Sequence, residues 1–359
     1  MIRRTLSLLL VFAMLLSFVA IGATGCASKD STDTSGEGTT GTETTEVTVY
    51  QQALKDSFAA LGEIPKASKP YKIGHVFITL ENPFWQTLKD GSEAAGKEYG
   101  VEVIGQAVAS EDDVTGQLNV LETMLGQDYD AIIVHTITAE NLVPGILTGL
   151  DKKIVIVDAD GRVDTTEIKA KGLVLPQLNM IDFVKQGELG GEYIAERVDK
   201  GSKVAIIEGI SGAPQSDARA QGAKQAFEAA GLEVVASQPG NWDSTVSLNV
   251  AQNILQANPD LKGFYCANDV MALAAAQAVE EAGKTGEVLI VGTDFIAEGK
   301  TAIEEGRMAA SVAFSPDIVG RLAVAATLKL LEGETVPDDL KVLNVVIDKD
   351  NVDMMEDWK

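Results

Sequence analysis

Carboxamides, carboxylates, one arginine and flat aromatic rings recur at the ends of apolar runs in this sequence. Asn82-Pro83-Phe84-Trp85 follows the run Ile73 to Leu80, His135 follows Ala131 to Val134, and Asp158-Ala159-Asp160 follows Ile154 to Val157. Further along, Gly209 to Ser216 leads to Arg219, and Asn241-Trp242-Asp243, Asn268-Asp269 and Thr293-Asp294 stand in the same relation to later runs. Asp and Asn each engage two neighbouring hydroxyls, Arg donates in a fixed fork, and an indole or phenyl face covers the apolar C–H side of a ring. The inventory fits a neutral polyhydroxy ligand.

Each position also has a plainer reading. Phe84 and Trp85 could simply pack a helix onto a sheet, with Asn82 as its N-cap and Pro83 where a missing N–H costs nothing. Arg219 falls in the first turn of a helix, where the macrodipole disfavours a cation; it either serves a ligand or pairs with Asp217. Asp269 reads as the N-cap of the helix beginning Val270-Met271-Ala272, and Asp158 and Asp294 could be caps as well. The coincidence of these two with Asn82, Asn268 and Arg219 favours ligand contacts. His135 reads as a ligand contact or a satisfied polar residue at the sheet edge.

Catalytic signatures are missing. There is no G-x-S-x-G nucleophile turn and no phosphate-binding Gly-Lys-Ser/Thr loop, and with only His75 and His135 there is no metal-spaced histidine pair. Gly209 to Gly212 follows a strand but lacks the G-x-G-x-x-G spacing. The carboxylates Asp158 and Asp294 could suggest glycoside chemistry, which keeps an extracellular sugar enzyme as a competing class. No cofactor and no metal are expected.

The elements that must position these groups follow a regular rhythm. Apolar runs at Ile73 to Ile78, Val101 to Ala107, Ala131 to Val134 and Ile154 to Val157 alternate with helical patterns near Phe84 to Tyr99, Val114 to Gly126 and Ala139 to Leu150. The rhythm restarts with Val204 to Ile207, Val234 to Ser237, Gly263 to Cys266 and Leu289 to Val291, separated by helices near Ser216 to Ala230, Ser244 to Ala257 and Val270 to Ala282 and followed by one near Ala297 to Glu305. Short Val/Ile runs between helices of this length predict parallel sheets covered on both faces. The fold class is therefore α/β, with two doubly wound lobes joined near Leu178 to Asp182. Such sheets gather the residues that follow their strands along one edge, where ligands bind.

The first 25 residues carry Arg3 and Arg4, an apolar stretch from Leu6 to Ile21 and small residues before Cys26. They read as a signal peptide, and the small residues before a cysteine resemble a bacterial lipoprotein box. Cys26 is then the lipid attachment site, a palmitate-type anchor to the membrane. Lys29 to Glu46 is nearly all Ser, Thr, Gly, Asp and Glu, the composition of a flexible tether. Val47 to Leu61 has helical periodicity before Pro65 and Pro70 and reads as an N-terminal extension. Net charge is −24, and loss of the arginine-bearing leader makes it two units more negative. That acidity argues against nucleic acid and anionic lipid as partners. Cys266 has no cysteine left to pair with and reads as an apolar core thiol.

Taken in order, Glu81 to Trp85 through Lys89-Asp90-Gly91, Ala218-Arg219 with Gly222, Ala236 to Asp243, Asn268-Asp269 with Met271 to Leu273, Val291 to Asp294 and Ser315-Pro316-Asp317 resemble the periplasmic sugar-binding proteins of the ribose and galactose type, the receptors of sugar ABC transporters. The resemblance covers about Tyr71 to Asp350. It implies a type I periplasmic binding protein with a three-segment hinge near Leu178 to Asp182, Phe314 to Asp317 and Leu340 to Asn344. An N-terminal lobe would comprise residues 70–180 and 315–341, a C-terminal lobe 181–314 and 342–359, after the lipidated cysteine, tether and extension of 26–69. It further implies stacking by Phe84, Trp85 and Trp242 and hydroxyl hydrogen bonds from Asn82, Asp158, Arg219, Asn268 and Asp294. Two positions depart from the ribose-type pattern. Ala159 replaces an arginine and Phe314 a glutamine, which makes the pocket less polar and leaves Asp160 or Arg162 as substitutes.

The expected function is that of a non-enzymatic extracytoplasmic solute-binding protein, anchored at the membrane and monomeric, that hands a monosaccharide or sugar-like polyol to an ABC transporter permease. A ligand sensor read by a chemoreceptor or sensor kinase is the alternative. A transcription regulator with the same two-lobe core is disfavoured by the secretion signal and by the lack of an N-terminal DNA-binding segment.

Overall fold

The computed structural model describes residues 47–359. The signal segment, Cys26 and the Ser/Thr/Gly tether lie outside the described residues. Two sheets organise the remainder. The first contains β1 (Lys72–Thr79), β2 (Glu102–Val108), β3 (Ala131–Val134) and β4 (Val155–Asp158) in the order β2-β1-β3-β4, all parallel. The second contains β5 (Lys203–Glu208), β6 (Glu233–Pro239), β7 (Gly263–Cys266), β8 (Leu289–Thr293), β9 (Ala310–Ala313) and β10 (Val345–Asp348). Its order is β10-β9-β8-β7-β5-β6, parallel except for β10 against β9.

β3 and β7 are buried throughout, as is β1 after Lys72, because helices cover both sheet faces. Each sheet accordingly has an apolar cluster on either side. Ile73, Phe77 and Ile133 point one way from the first sheet and Val76, Ile132 and Val134 the other. In the second sheet the same division sets Phe264 and Ile290 against Tyr265 and Val291. Cys266 is fully buried, and burial pushes its thiol well above the usual range.

α1 (Val49–Ala59) begins in a capping box: Thr48 Oγ1 accepts from Gln51 N and Gln51 Oε1 accepts from Thr48 N, both at 3.2 Å. The first lobe continues with α2 (Pro83–Tyr99), α3 (Val114–Leu125), α4 (Val143–Asp151) and α5 (Thr166–Ala170). α6 (Phe183–Ala195), α7 (Pro214–Ala230), α8 (Ser244–Ala257), α9 (Asp269–Glu281) and α10 (Ala297–Glu304) surround the second sheet, and α11 (Pro316–Leu331) returns to pack on α2.

Two helix pairs are unusually close. A Cβ added to Gly187 of α6 would fall 1.9 Å from the Arg219 carbonyl, and one added to Gly222 of α7 would fall 2.0 Å from the Val184 carbonyl. Gly91 of α2 and Gly320 of α11 repeat the arrangement, at 2.3 Å from Asp317 O and 2.2 Å from Leu88 O. The α6 helix is not evident from the sequence, because Gly187, Gly190 and Gly191 oppose helix formation by propensity. Packing against α7 outweighs that cost. β9 and β10 also lie outside the runs read as strands; β10 is antiparallel and only partly buried.

The chain crosses between the sheets in three neighbouring segments, after Gln177, after Ala313 and before Val345. The first and third run side by side, with Asn179 N donating to Asp338 O at 2.6 Å and Val342 N to Met180 O at 2.8 Å.

Candidate functional site

The carboxyl ends of both sheets meet at one cavity. In each sheet the strand order reverses beside the first strand of that sheet, the place where a crevice opens between the loops. The first sheet contributes Asn82, Phe84, Trp85, Glu111, Asp160 and Arg162; the second contributes Gln215, Arg219, Trp242, Asn268 and Asp294. Phe183 and Phe314, both at crossovers, complete the wall with Leu88 and Ile181.

Asn82 serves two purposes. Its Oδ1 caps α2 by accepting from Phe84 N at 3.0 Å, and its Nδ2 donates to Glu111 Oε1 at 3.1 Å. Pro83 at the first helical position then throws Phe84 and Trp85 against the cavity, where they meet edge to face with centroids 5.0 Å apart. Phe314 lies 5.2 Å from Phe84 and extends this aromatic wall.

Arg219 is held by three acceptors. Nε donates to Gln186 Oε1 at 2.8 Å, Nη1 to Ala267 O at 2.7 Å and Nη2 to Asp294 Oδ1 at 3.3 Å. It pairs with Asp294 and leaves Asp217 near the loop, where Asp217 Oδ1 accepts from Gly212 N at 3.3 Å. Burial raises Asp294 to about 6 against the opposing pull of Arg219, and burial raises Glu111 to about 7 despite the Asn82 amide.

Asn268, rather than Asp269, caps α9: its Oδ1 accepts from Met271 N at 2.9 Å, leaving Nδ2 for the cavity. Asp269 instead holds Ile296 N and Ser311 Oγ, at 3.0 and 2.8 Å. Trp242 sits in left-handed backbone (φ 61°) after Asn241 (φ 56°), and Asp294 and Phe295 are also at positive φ (103° and 56°). Such conformations cost about 1–3 kcal/mol each and collect at functional sites. Gly209 makes room for the indole, since a Cβ there would lie 1.9 Å from Trp242 Cζ2.

Asp158 is placed differently from its expected role. Its Oδ2 accepts from Val163 N and Gln177 Nε2, at 2.8 and 2.9 Å, and its Oδ1 from Asp160 N at 3.3 Å. The carboxylate thus folds the loop that follows β4 and does not line the cavity. Asp160 and Arg162 reach the wall in its stead, with Arg162 Nη2 bonded to Asp160 Oδ2. His135 stays behind the wall, its Nδ1 2.8 Å from that same oxygen. Asn82, Phe84, Trp85, Asp160, Arg219, Trp242, Asn268, Asp294 and Phe314 are brought together. Glu111 and Gln215 belong to polar runs that follow strands, Ser110 to Asp113 and Gly209 to Ser216, where the sequence does not distinguish them from their neighbours, and Phe183 adjoins the first crossover without a sequence signal.

Three polar atoms on these wall residues are buried with no partner among the described residues: Asp160 Oδ1, Arg162 Nε and Gln215 Oε1. A buried polar group left unpaired costs about 1–3 kcal/mol, so one acceptor carboxylate, one guanidinium donor and one amide carbonyl are available to a hydroxylated ligand.

Residues 73–335 match the family described as periplasmic binding protein domain. The D-allose-binding periplasmic protein of Escherichia coli is 40% identical over 74% of this chain and 86% of its own. A D-ribose/D-allose-binding protein of Pseudomonas aeruginosa is 35% identical over 74% of this chain and 83% of its own. Among solved structures, an ABC transporter periplasmic solute-binding protein of Actinobacillus succinogenes with bound D-allose superimposes with a TM-score of 0.75 at 32% identity, covering 79% of this chain and 99% of that one. With two parallel-sheet lobes around a polar and aromatic cavity, the chain belongs to the periplasmic binding protein family.

Proposed function

We propose that this protein is a non-enzymatic extracytoplasmic receptor that binds a monosaccharide or sugar-like polyol between its lobes and delivers it to an ABC transporter. The observation that carries this reading is the pairing of unpartnered Asp160 Oδ1, Arg162 Nε and Gln215 Oε1 with the rings of Phe84, Trp85 and Trp242 in one cavity. The polar atoms match hydroxyls and the rings match the C–H faces of a sugar. Relatives named for D-allose and for ribose bring an aldose to this chain as the ligand class, and Phe314 beside Phe84 adds a further ring for the C–H face of the sugar. A ligand touching both sheet edges stabilises the arrangement in which both are within reach, the population shift by which a transporter would recognise loaded receptor.

The receptor works as a monomer held at the outer face of the membrane through a lipid on Cys26, with the acidic, Ser/Thr-rich segment as tether. A thermal-shift screen of the purified protein against pentoses, hexoses, deoxy sugars, polyols and nucleosides tests the ligand class. Stabilisation by one or a few sugars or polyols is expected. Stabilisation by nucleosides alone would redirect the reading.

A further inference from the structure

Behind the cavity wall a run of buried side chains lies along the Ile73 and Phe77 face of the first sheet and ends on Asp160. His75 lies within β1 and His135 follows β3, its backbone N–H bonded to Val76 O at 3.0 Å. The two imidazoles meet edge to edge with their planes 15° apart and their centroids 5.0 Å apart, their Nε2 atoms are 2.9 Å apart, and both residues are fully buried. His135 Nδ1 in turn stands 2.8 Å from Asp160 Oδ2, the oxygen also bound by Arg162 Nη2.

Of the proton arrangements that serve these contacts, one leaves no N–H unpartnered. His75 Nε2–H donates to His135 Nε2, and His135 Nδ1–H donates to Asp160 Oδ2. It leaves a bare lone pair on His75 Nδ1, the ring nitrogen that has no partner among the described residues. An unpaired lone pair is tolerated in a core more readily than an unpaired N–H. Burial, aided by His135, holds His75 well below the usual histidine range, so it is a neutral ring with a single N–H to give.

We propose that His135, with its tautomer set by His75, is a positioning residue for ligand binding: together with Arg162 it engages Asp160 Oδ2 and leaves Oδ1 to accept a ligand hydroxyl. Burial by itself would raise the Asp160 carboxyl, but Arg162 and His135 outweigh it and hold the group well below the usual carboxylate range. An ionised acceptor buried without a protein partner binds a hydroxyl more strongly than a neutral one. Packing alone does not need this chemistry, because a ring or branched chain of similar size would also fill the space against Phe77 and Trp85, 6.1 and 5.2 Å from the His135 ring.

The inference rests on the sugar-receptor reading, and the experiment separates the two. Affinities for D-allose and its monodeoxy analogues are measured for the wild type, Asp160→Asn, His135→Leu and His135→Asn. Asp160→Asn identifies the hydroxyl whose removal no longer costs affinity once the carboxylate is gone. In His135→Leu the same deoxy penalty is expected to shrink about tenfold, with penalties at the other hydroxyls retained, and His135→Asn, whose amide replaces the Nδ1 donor, is expected to restore it. Unchanged or uniformly altered penalties in His135→Leu would overturn the positioning role. Failure of the wild type to bind any of these sugars would count against the receptor reading instead. As the chain has only two histidines, 15N spectra of the ligand-free protein provide an arm independent of sugar: protonated Nδ1 on His135 and Nε2 on His75 are expected, and a His135 Nδ1 without a proton would overturn the proposal.

Discussion

Arg219 and Asp294 meet at 3.3 Å on the second-lobe side of the cavity, both almost wholly buried, with Nε and Nη1 of the guanidinium fixed by Gln186 and Ala267. α7 begins at Pro214 rather than near Ser216, so the arginine stands in its second turn and not in the first turn expected from the sequence, and the helix dipole does not set its cost. Arg219→Ala leaves Asp294 buried and loses three hydrogen bonds. Removing one member of a buried pair costs about 3–5 kcal/mol. A fall of that size in urea-derived stability, with sugar affinity lost at the same time, is expected; a change of under about 1 kcal/mol would show that the pair is not the anchor described.

Glu111 and Asp294 predict a pH dependence. Burial raises them to about 7 and about 6, from ordinary values of 4.5 and 3.8. Between the ordinary and the raised values the folded state holds protons that the unfolded chain has lost, so the stability these groups contribute is present below about pH 4 and declines as pH rises through 6 to 7. Chemical denaturation at pH 5 and 7.5 should show the Glu111→Gln variant losing less stability than wild type over this interval. Equal or greater loss in the variant would contradict the assignment.

The glycine contacts between α6 and α7 are a second structural commitment. Gly187→Ala sets a methyl group against the Arg219 carbonyl, and the helices must separate to admit it. Overpacking of this kind costs about 1–3 kcal/mol. Because Arg219 moves with α7, weaker sugar binding should accompany a lower melting temperature, measured on the same sample. A wild-type melting temperature in Gly187→Ala would refute the close-contact account.

Much of this site was legible in the chain before its structure. Asn82-Pro83 announced a helix start, and that start sets the position of Phe84 and Trp85. Polar residues after apolar runs marked the sheet edges, and Asn268, Arg219 and Asp294 follow from that rule. Asp158 and Asp160 were harder to tell apart, since which carboxylate faces the cavity depends on the loop after β4, where Gln177 and Val163 claim Asp158. The α6 helix was hidden because its glycines read against a helix and become intelligible only once α7 lies against them. Phe183 and Glu111 occupy a crossover and a loop, where no periodicity points a side chain.

On the second-lobe wall, Trp242→Ala and Asn268→Ala should each weaken binding of the sugar found in the screen by about tenfold or more, through loss of ring stacking and of an amide hydrogen bond. Titration calorimetry on both variants checks this. Unchanged affinity in both would remove the second sheet edge from the site.

Cys26→Ser should release the protein from membrane fractions into the soluble fraction while leaving sugar affinity unaltered. Fractionation of cells expressing either form, with affinity measured on the released protein, decides the anchor. Retention of the serine variant at the membrane would refute it.

The most direct measurement is isothermal titration of the purified protein with D-allose and the other hexoses and pentoses, followed by recovery of the sugar. Saturable binding at one site per chain, with the sugar recovered unchanged, is the predicted result. Absence of binding by every sugar and polyol tried, or recovery of a converted product, would contradict a receptor that captures and delivers its ligand intact.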